Sequence, residues 1–246
     1  MRWVIGLLFC ISGLHGATLP VEEVLDRPIL VNLARRPDRL EVTKALLEEA
    51  GFTRVQRFEA VDGHYGDPAI FDHLRILGGG AGPKGCTASH LLIWQQLVDS
   101  DEREFAFVVE DDCLPHSAFP WIFPIYWEAT PDDFDLVMVG NQMAMTPDDP
   151  LLVQKPVFCT HAYIVSKAGA RKLLKLYRNL PADGGPIFVI DIFLINMMKE
   201  KKVKYVCYNG SHYPDLQNIW QKNVILGRDG GICFQNARLE VSIHGR

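Results

Sequence analysis

The stretch that decides the fold runs from Phe105 to Asp112 and reads FAFVVEDD. Five apolar residues bounded by polar ones predict a strand buried on both faces, so the three acids should lie where that strand leaves the sheet. In open α/β sheets, ligands bind at this edge. Neighbouring carboxylates repel one another unless a cation neutralises them, and hard oxygen ligands suit Mg²⁺ or Mn²⁺. The alternative interpretation is a solvated acidic turn.

The alternation of side chains along a strand assigns different roles to the three acids. Glu110 and Asp112 should share one side of the chain, whereas Asp111 should point to the other. We therefore predict Asp112 as a direct metal ligand, and Glu110 as a ligand through water or as a contact to the bound molecule. Asp111 is predicted either to reach that molecule, in a catalytic role, or to hold the loop. A divalent ion at such a site in turn suits a diphosphate.

Length and composition predict one domain of mixed class. The chain has 246 residues, of which 48% are hydrophobic, and this is enough to bury one substantial core. A net charge of −5 and a pI near 5.9 exclude the broad basic surface that nucleic-acid binding requires. We therefore expect no nucleic-acid partner, and no later segment suggests a transmembrane partner.

The first 17 residues have the layout of a secretory signal peptide. Arg2 precedes an apolar run over residues 3–11, and the small residues Gly13, Gly16 and Ala17 follow. The alternatives are an uncleaved anchor or a buried first strand. Cleavage would leave one domain over residues 24–246, located in the endoplasmic reticulum or Golgi lumen or secreted. It would also leave an odd number of cysteines, so the sequence does not define a disulfide pattern.

Strands and helices alternate along the rest of the chain. Strands are predicted at residues 28–33, 55–61, 105–109, 135–140, 158–165 and 203–208. Helices are predicted from Pro37 to about Ala50, over 87–98, from Ser166 as the cap to about Leu176, and over 190–199. Residues 67–82, 143–156 and the segment after 208 are predicted to be irregular. This alternation indicates a mostly parallel sheet that is covered on both faces.

Five sequence segments, in order, resemble glycosyltransferase family 25. They are ILVNLARRPDR at 29–39, EAVDG at 59–63, GCTASHL at 85–91, VEDD at 109–112, and THAYIVS at 160–166 with Gly169-Ala170 behind it. The resemblance covers roughly residues 28–194. The family includes lipooligosaccharide galactosyltransferases of bacteria and procollagen galactosyltransferases of animals.

The resemblance implies an α/β fold of GT-A type, with a Rossmann-like, mostly parallel sheet and helices on both faces. It also implies UDP-galactose or UDP-glucose as donor, Mn²⁺ or Mg²⁺ at the acidic motif, and a glycan or a collagen-like glycoprotein as acceptor. One departure concerns the Gly-Glu pair that usually precedes Gly-Cys in this family, because Pro83 and Lys84 follow Gly82 here. The chain is also shorter than the two-domain animal collagen enzymes.

Donor-binding residues are expected at the end of the first strand and the start of the first helix. Backbone donors and the helix dipole favour an anion there, and arginine offers paired donors to phosphate. Arg36 and Arg39 match the family positions and are predicted to meet the nucleotide, whereas Arg35 is better explained as a solvated helix start. Asn32 is expected to face the uracil.

The glycosyltransferase segments add two further candidates for the donor site. Ser89 and His90 begin the helix that leads to the acidic strand, and the resemblance favours a role in the site. The alternative is that His90 is a buried structural histidine. His161 and Tyr163 are equally ambiguous, because strand packing explains Tyr163.

Two late residues complete the predicted site. Asp191 lies in an apolar run, where a carboxylate is costly to bury without a partner, so it caps a helix or serves the site. The resemblance places a family aspartate there, and we predict it to be the base that removes the proton of the acceptor hydroxyl. His212 is a candidate third metal ligand, because imidazole suits Mn²⁺. The alternative is a histidine of a surface loop.

Three classes of function are compatible with these features. The leading hypothesis is a metal-dependent glycosyltransferase, which the intact acidic motif and the matching arginines favour. The second is a catalytically inactive adhesion or binding protein with the same fold. The third, a metal-dependent phosphohydrolase, requires a nucleophile or a second metal cluster, and no such motif is present in the sequence.

Overall fold

A computed structural model describes residues 19–76, 80–143, 145–181, 189–220 and 230–240. The predicted signal segment, residues 1–17, lies outside the described residues. The strands are β1 Ile29–Asn32, β2 Gln56–Glu59, β3 Phe105–Glu110, β4 Cys113–Pro115, β5 Leu136–Met138, β6 Leu152–Val153, β7 Ala162–Ser166, β8 Tyr205–Tyr208 and β9 Cys233–Gln235. The α-helices are α1 Val21–Val24, α2 Pro37–Glu49, α3 Pro68–His73, α4 Ala81–Asp99, α5 Phe119–Ala129, α6 Lys167–Arg178, α7 Ile190–Lys199, α8 Leu216–Trp220 and α9 Ala237–Glu240. A 3₁₀-helix spans Gly210–His212.

Within these ranges, the main sheet has seven strands in the order β2-β1-β3-β7-β5-β8-β6. Five of them run in one direction, and β7 and β6 run in the other. The strands β4 and β9 form a small antiparallel ladder directly after the acidic motif. The prediction of an α/β fold with a mostly parallel sheet is confirmed, with β7 as an antiparallel strand beside β3.

Helices cover both faces of the sheet, as predicted. Ala106 and Val108 of β3 belong to a core that includes residues of α4, α6 and α7. Phe107 and Val109 belong to a second core that includes residues of α2 and α5. Burying a side chain of this size contributes about 1.5–3 kcal/mol relative to leaving it exposed. The continuous apolar run of β3 is therefore explained by a strand that serves two cores at once.

Several elements correct the sequence interpretation. Helix α3 lies in the segment predicted to be irregular, where Asp67 caps it by accepting a hydrogen bond from the Ala69 amide. Helix α4 begins at Ala81 rather than Thr87, because Pro83 is tolerated in a first turn. Helix α5 was not predicted. The short elements β6, α8, β9 and α9 also lie in segments predicted to be irregular, since pairing and packing define them more than local propensity does. Among the described helices, none is long and apolar enough to cross a membrane.

Helix α4 approaches the segment after β2 closely, and Gly85 makes this possible. A Cβ atom at Gly85 would lie 2.3 Å from the Val61 carbonyl oxygen and 2.8 Å from the Gly63 amide nitrogen. The Ser89 hydroxyl fixes the same contact, because it accepts a hydrogen bond from the Val61 amide at 2.9 Å. This approach determines where His90, the next residue of the helix, meets the sheet.

We expect Gly85→Ala to destabilise the fold by about 1–3 kcal/mol, because the added methyl group overpacks against backbone atoms that cannot rotate away. Gly82→Ala is the matched control in the same helix, since a Cβ there meets nothing within 4 Å. It should be neutral or stabilising by up to about 1 kcal/mol. Urea unfolding measures both free energies. Equal stabilities of the two variants would contradict the close approach.

Candidate active site

The acidic motif lies at the carboxyl end of β3, as predicted. Glu110 is the last residue of the strand, and Asp111 and Asp112 form the turn that leads to β4. The neighbouring strand β1 ends at Asn32 on the same edge, because β1 and β3 are parallel. Although the three acids are consecutive in the sequence, each has different neighbours in the structure.

Asp111 points toward β1 and α2. Its carboxylate accepts a hydrogen bond from Asn32 Nδ2 at 2.8 Å and one from Arg39 Nη1 at 2.8 Å, and all three residues are buried. The Thr43 hydroxyl donates to the Asp111 carbonyl oxygen at 2.7 Å. Of the two roles left open by the sequence, these contacts are those of a residue that holds the loop.

The residues predicted to bind the nucleotide lie close together, but some of their side chains are already engaged in hydrogen bonds within the protein. Arg39 also donates from Nη2 to the Leu239 carbonyl oxygen at 2.7 Å, while its buried Nε has no hydrogen-bond partner within the described ranges. Asn32 Nδ2 donates to the Arg36 carbonyl oxygen as well. Arg36 precedes the first turn of α2 and makes a paired contact with Asp38, which lowers the pKa of Asp38 to about 2. Arg39 and Asn32 are thus engaged by Asp111, and Arg36 lies nearer the surface.

Glu110 is held from two sides through one oxygen. Its Oε1 atom accepts hydrogen bonds from Thr160 Oγ1 at 2.5 Å and from His90 Nε2 at 3.2 Å. Burial raises the pKa of Glu110, but the hydrogen bonds from His90 and Thr160 and the nearby histidines together outweigh this effect and leave the pKa below its ordinary value. The other oxygen, Oε2, accepts no hydrogen bond from the described residues.

A buried chain of hydrogen bonds determines the tautomer of His90. Trp94 Nε1 donates to the Tyr163 hydroxyl at 3.0 Å, and that hydroxyl lies 2.8 Å from His90 Nδ1. All three side chains are fully buried, so the hydroxyl proton needs an acceptor and His90 Nδ1 supplies it. His90 then carries its proton on Nε2 and donates it to Glu110. This explains both His90 and Tyr163, which the sequence left ambiguous.

Cys86 joins this group and was missed by sequence reasoning. Potential ligand atoms of Cys86, His90 and Glu110 lie within 4.8 Å of one another. Cys86 and His90 stand four residues apart on α4, a spacing that places side chains on one helix face. However, His90 presents an N–H to Glu110, and burial followed by the charge of Glu110 raises the pKa of the Cys86 thiol well above its ordinary value. A neutral thiol and a donor nitrogen are poor metal ligands.

Asp112 has the donor atom that best fits a cation. Its Oδ1 atom is buried and has no hydrogen-bond partner among the described residues. Burial, followed by the charge of Glu110, raises the pKa of Asp112 to about 8. An ionised carboxylate without a partner is costly to bury. A hard divalent cation between Asp112 and Glu110 would remove this cost, so the two residues fit Mg²⁺ or Mn²⁺.

Asp191 lies in the first turn of α7, near the acidic motif. The first amide of that helix, at Ile190, donates to the Thr87 hydroxyl of α4 at 3.1 Å. Asp191 Oδ1 lies 3.2 Å from the same Thr160 hydroxyl that contacts Glu110. Burial, followed by the charge of Glu110, raises the pKa of Asp191 to about 6. The structure therefore connects Asp191 and Glu110 through Thr160, a residue to which the sequence assigned no role.

The remaining predicted residues lie elsewhere or act inside the helix packing. His212 belongs to the 3₁₀-helix, and its Nε2 donates to the Asp149 carbonyl oxygen at 2.8 Å, away from the Cys86-His90-Glu110 group. Ser89 donates to the Gly85 carbonyl oxygen at 2.7 Å. His161 donates from Nε2 to the Cys233 carbonyl oxygen, and burial lowers its pKa.

Residues 26–136 match the family model described as Glycosyltransferase family 25 (LPS biosynthesis protein). The predicted resemblance to glycosyltransferase family 25 is confirmed. The matched segment begins at Asp26 and ends at Leu136, the first residue of β5. It includes β1, α2, α4 and the acidic motif. It therefore contains Asn32, Arg39, His90 and Asp112, and it ends before Thr160 and Asp191.

Relatives in family 25 carry names of both active and inactive proteins. Procollagen galactosyltransferase 1-B of Xenopus laevis is 29% identical over 67% of this chain and 31% of its own length. The probable inactive glycosyltransferase 25 family member 3 of Bos taurus is 30% identical over 67% of this chain and 31% of its own length. The chain thus spans about three tenths of the curated relatives that it matches.

Among solved structures, the chain is similar to a glycosyltransferase involved in the glycosylation of the major capsid of PBCV-1. The TM-score is 0.40 and the identity 12%, with 75% of this chain and 81% of the other covered.

We expect Arg39→Ala to destabilise the fold by about 3–5 kcal/mol, because it leaves the buried charge of Asp111 uncompensated. The control is Arg35→Ala, since the Arg35 side chain is 50% exposed and its contact with Asp62 is a surface pair. That variant should lose no more than about 1 kcal/mol. Both values come from urea unfolding at pH 7. A loss below about 1 kcal/mol for Arg39→Ala would show that the buried contact between Arg39 and Asp111 does not stabilise the fold.

Asp112 should make the stability of the metal-free protein depend on pH. The pKa is about 8 in the folded chain against an ordinary value of 3.8, so the unfolded state releases its proton first as pH rises. The contribution of Asp112 to stability therefore becomes steadily less favourable between these two pH values. Asp112→Asn cannot titrate, and its advantage in Tm over the wild type should grow over this interval in the presence of EDTA. Saturating Mn²⁺ should reverse the difference at pH 7. An advantage that is constant with pH would contradict the raised pKa.

Proposed function

We propose that this chain is a metal-dependent glycosyltransferase that moves galactose or glucose from a UDP-sugar donor to a glycan or to a hydroxylysine-type protein acceptor. One observation carries the proposal. The buried Asp112 Oδ1 atom has no hydrogen-bond partner among the described residues and stands two positions from Glu110, at the carboxyl end of β3. Keeping this carboxylate ionised while it is buried is costly without a cation, and a cation at this edge suits a diphosphate.

Asp112 and Glu110 are the residues that would hold Mn²⁺ or Mg²⁺. When bound, such an ion acts as a Lewis acid that stabilises the charge developing on the leaving diphosphate. Glu110 keeps its Oε2 atom for this purpose, because His90 and Thr160 both engage Oε1. His212, the third ligand expected from the sequence, contacts Asp149 instead and has no part in this proposal.

Donor binding in this proposal uses the start of α2. The first amides of a helix and its dipole attract an anion, and Arg36 adds a guanidinium beside them. Arg39 and Asn32 support the site indirectly, because they orient Asp111 and with it the turn that carries Asp112. Ser89 contributes by fixing α4, from which His90 reaches Glu110.

Asp191 is proposed as the general base. A carboxyl group with a pKa near 6 is ionised at pH 7 yet binds a proton more readily than an ordinary aspartate. It would accept the proton of the acceptor hydroxyl as that oxygen bonds to the anomeric carbon. Asp191 is half-buried, so part of its side chain is open to an acceptor.

A second candidate is a binding protein with the same fold and no turnover. Relatives named as inactive members of family 25 favour it. The paired presence of Asp112 and Asp191 favours the enzyme, because binding alone does not require a carboxyl group with a raised pKa at the acceptor side.

The compartment proposed for either candidate is the secretory pathway lumen or the exterior. The order of charged, apolar and small residues over positions 1–17 supports it. Glycan and collagen-like acceptors are exposed to enzymes in the same compartment, so the two proposals are consistent.

We expect the wild type to release UDP from UDP-galactose or UDP-glucose when Mn²⁺ and an acceptor are both present, with hydroxylysine-containing peptides and oligosaccharides as the acceptors tested. Asp112→Asn should lower this rate by at least about 100-fold, because it removes the charge that holds the ion. Asp72→Asn, on the exposed surface of α3, should keep full activity.

Calorimetry with UDP and Mn²⁺ separates the two candidates. Binding that Asp112→Asn weakens, without UDP release on any acceptor, would favour the binding protein. Full activity of Asp112→Asn, or activity that persists in EDTA, would contradict the metal-dependent mechanism.

A further inference from the structure

Thr160 lies between the two carboxylates that the proposed reaction uses. Its Oγ1 atom is 2.5 Å from Glu110 Oε1 and 3.2 Å from Asp191 Oδ1. The side chain is buried, with 3% of its surface exposed, so water does not compete freely for the hydroxyl.

The backbone around Thr160 is held firmly. The Glu110 amide donates to the carbonyl oxygen of His161 at 3.0 Å, which connects the end of β3 to the residue after Thr160. The residue before Thr160, Cys159, has a φ of 85°, which is uncommon for any residue other than glycine. Such backbone persists only where the surroundings over-determine it, and it concentrates at functional sites.

The two carboxylates depend on Thr160 to different degrees. Glu110 keeps the hydrogen bond from His90, whose tautomer is fixed by Tyr163 and Trp94, even without the hydroxyl. The Thr160 hydroxyl has one proton, so the two carboxylates share it in a three-centre hydrogen bond in which Glu110 is the nearer acceptor. For Asp191, this shared bond is the hydrogen bond that the described side chains supply. Removing the Thr160 hydroxyl should therefore change the position of the Asp191 carboxylate more than that of the Glu110 carboxylate.

We propose that Thr160 is a positioning residue, which holds Glu110 of the acidic motif and Asp191 of α7 in one hydrogen-bonded unit. The unit keeps the residues proposed for the donor side and for the acceptor side of the site at a fixed spacing. This inference rests on the proposed glycosyltransferase function and adds to it a residue outside the segment matched by the family model.

The test compares Thr160→Val, which keeps the shape and removes the hydroxyl, with Thr160→Ser, which keeps the hydroxyl. Thr160→Val should lower kcat by about 10- to 100-fold, the range expected when a reacting group is misplaced by a fraction of an ångström to 1 Å. The affinity for UDP with Mn²⁺ should change by less than about 3-fold, because His90 still orients Glu110. Thr160→Ser should retain kcat within about 3-fold of the wild type.

Thr130→Val is the matched control for the loss of a buried hydroxyl. Thr130 is buried, and its hydroxyl contacts the Tyr126 carbonyl oxygen and the Tyr208 hydroxyl, away from the acidic motif. It should lose stability without a change in kcat. An unchanged kcat in Thr160→Val, or a Thr160→Ser variant as impaired as Thr160→Val, would overturn the proposal. If Thr160→Val does not fold, Thr160→Ala and Thr160→Ser make the same comparison.

A double variant shows whether Thr160 acts through Asp191. Thr160→Val combined with Asp191→Asn should have the kcat of Asp191→Asn alone, because residues of one unit are not additive. Multiplied losses would overturn the proposal.

Failure of the proposed function is recognised separately: the wild type would then neither bind UDP in the presence of Mn²⁺ nor release UDP from a UDP-sugar donor. In that case, the Tm values of the wild type, Thr160→Val, Asp191→Asn and the double variant test whether Thr160 and Asp191 interact. Non-additive shifts support the hydrogen-bonded unit, and additive shifts overturn it.

Discussion

The buried contact of Asp111 with Arg39 and Asn32 is the constraint on which the rest of the site depends. It attaches the turn after β3 to the end of β1 and the first turn of α2, so three elements meet at one carboxylate. Desolvation makes such an ion pair a weak source of stability, but removing one partner is costly. The contact matters more for the orientation of the Asp111 side chain than for stability. Because Asp111 is turned inward, Asp112 Oδ1 and Glu110 Oε2 accept no hydrogen bond from the described residues and fit the proposed cation.

This division explains why three consecutive acids can coexist in one turn. Asp111 is neutralised by Arg39, and Glu110 is stabilised by hydrogen bonds from His90 and Thr160. The Oδ1 atom of Asp112 has no hydrogen-bond partner among the described residues, and burial, followed by the charge of Glu110, raises the pKa of Asp112 to about 8. The two apolar cores on either side of β3 hold the strand firmly enough to carry this unfavourable group. Functional sites often combine a stable frame with one destabilised group in this way.

Much of the frame could be predicted from the sequence, because it follows local patterns. The apolar runs of β1 and β3, the proline at the start of α2 and the Ser166 cap of α6 all indicate elements that the structure contains. The prediction that Glu110 and Asp112 differ from Asp111 in direction rests on strand geometry alone, and the contacts agree with it.

The partners of these residues could not be predicted in the same way. Arg39 is separated from Asp111 by 72 positions, and Thr160 from Glu110 by 50, so no local pattern reveals either pair. Helix α5 escaped prediction because Pro124 interrupts its pattern, and β4 and β9 exist only as a ladder with each other. His212 attracted attention as an imidazole after a strand, yet its partner is the carbonyl group of Asp149.

The most direct test is to locate the ion itself. A crystal grown with Mn²⁺ and UDP, and measured at the manganese absorption edge, reports the metal position independently of activity. The account predicts one anomalous peak within ligand distance of Asp112 Oδ1, with His90 Nε2 still facing Glu110. A peak between Cys86 Sγ and His90 Nε2, or no peak at the acidic motif at saturating Mn²⁺, would contradict it.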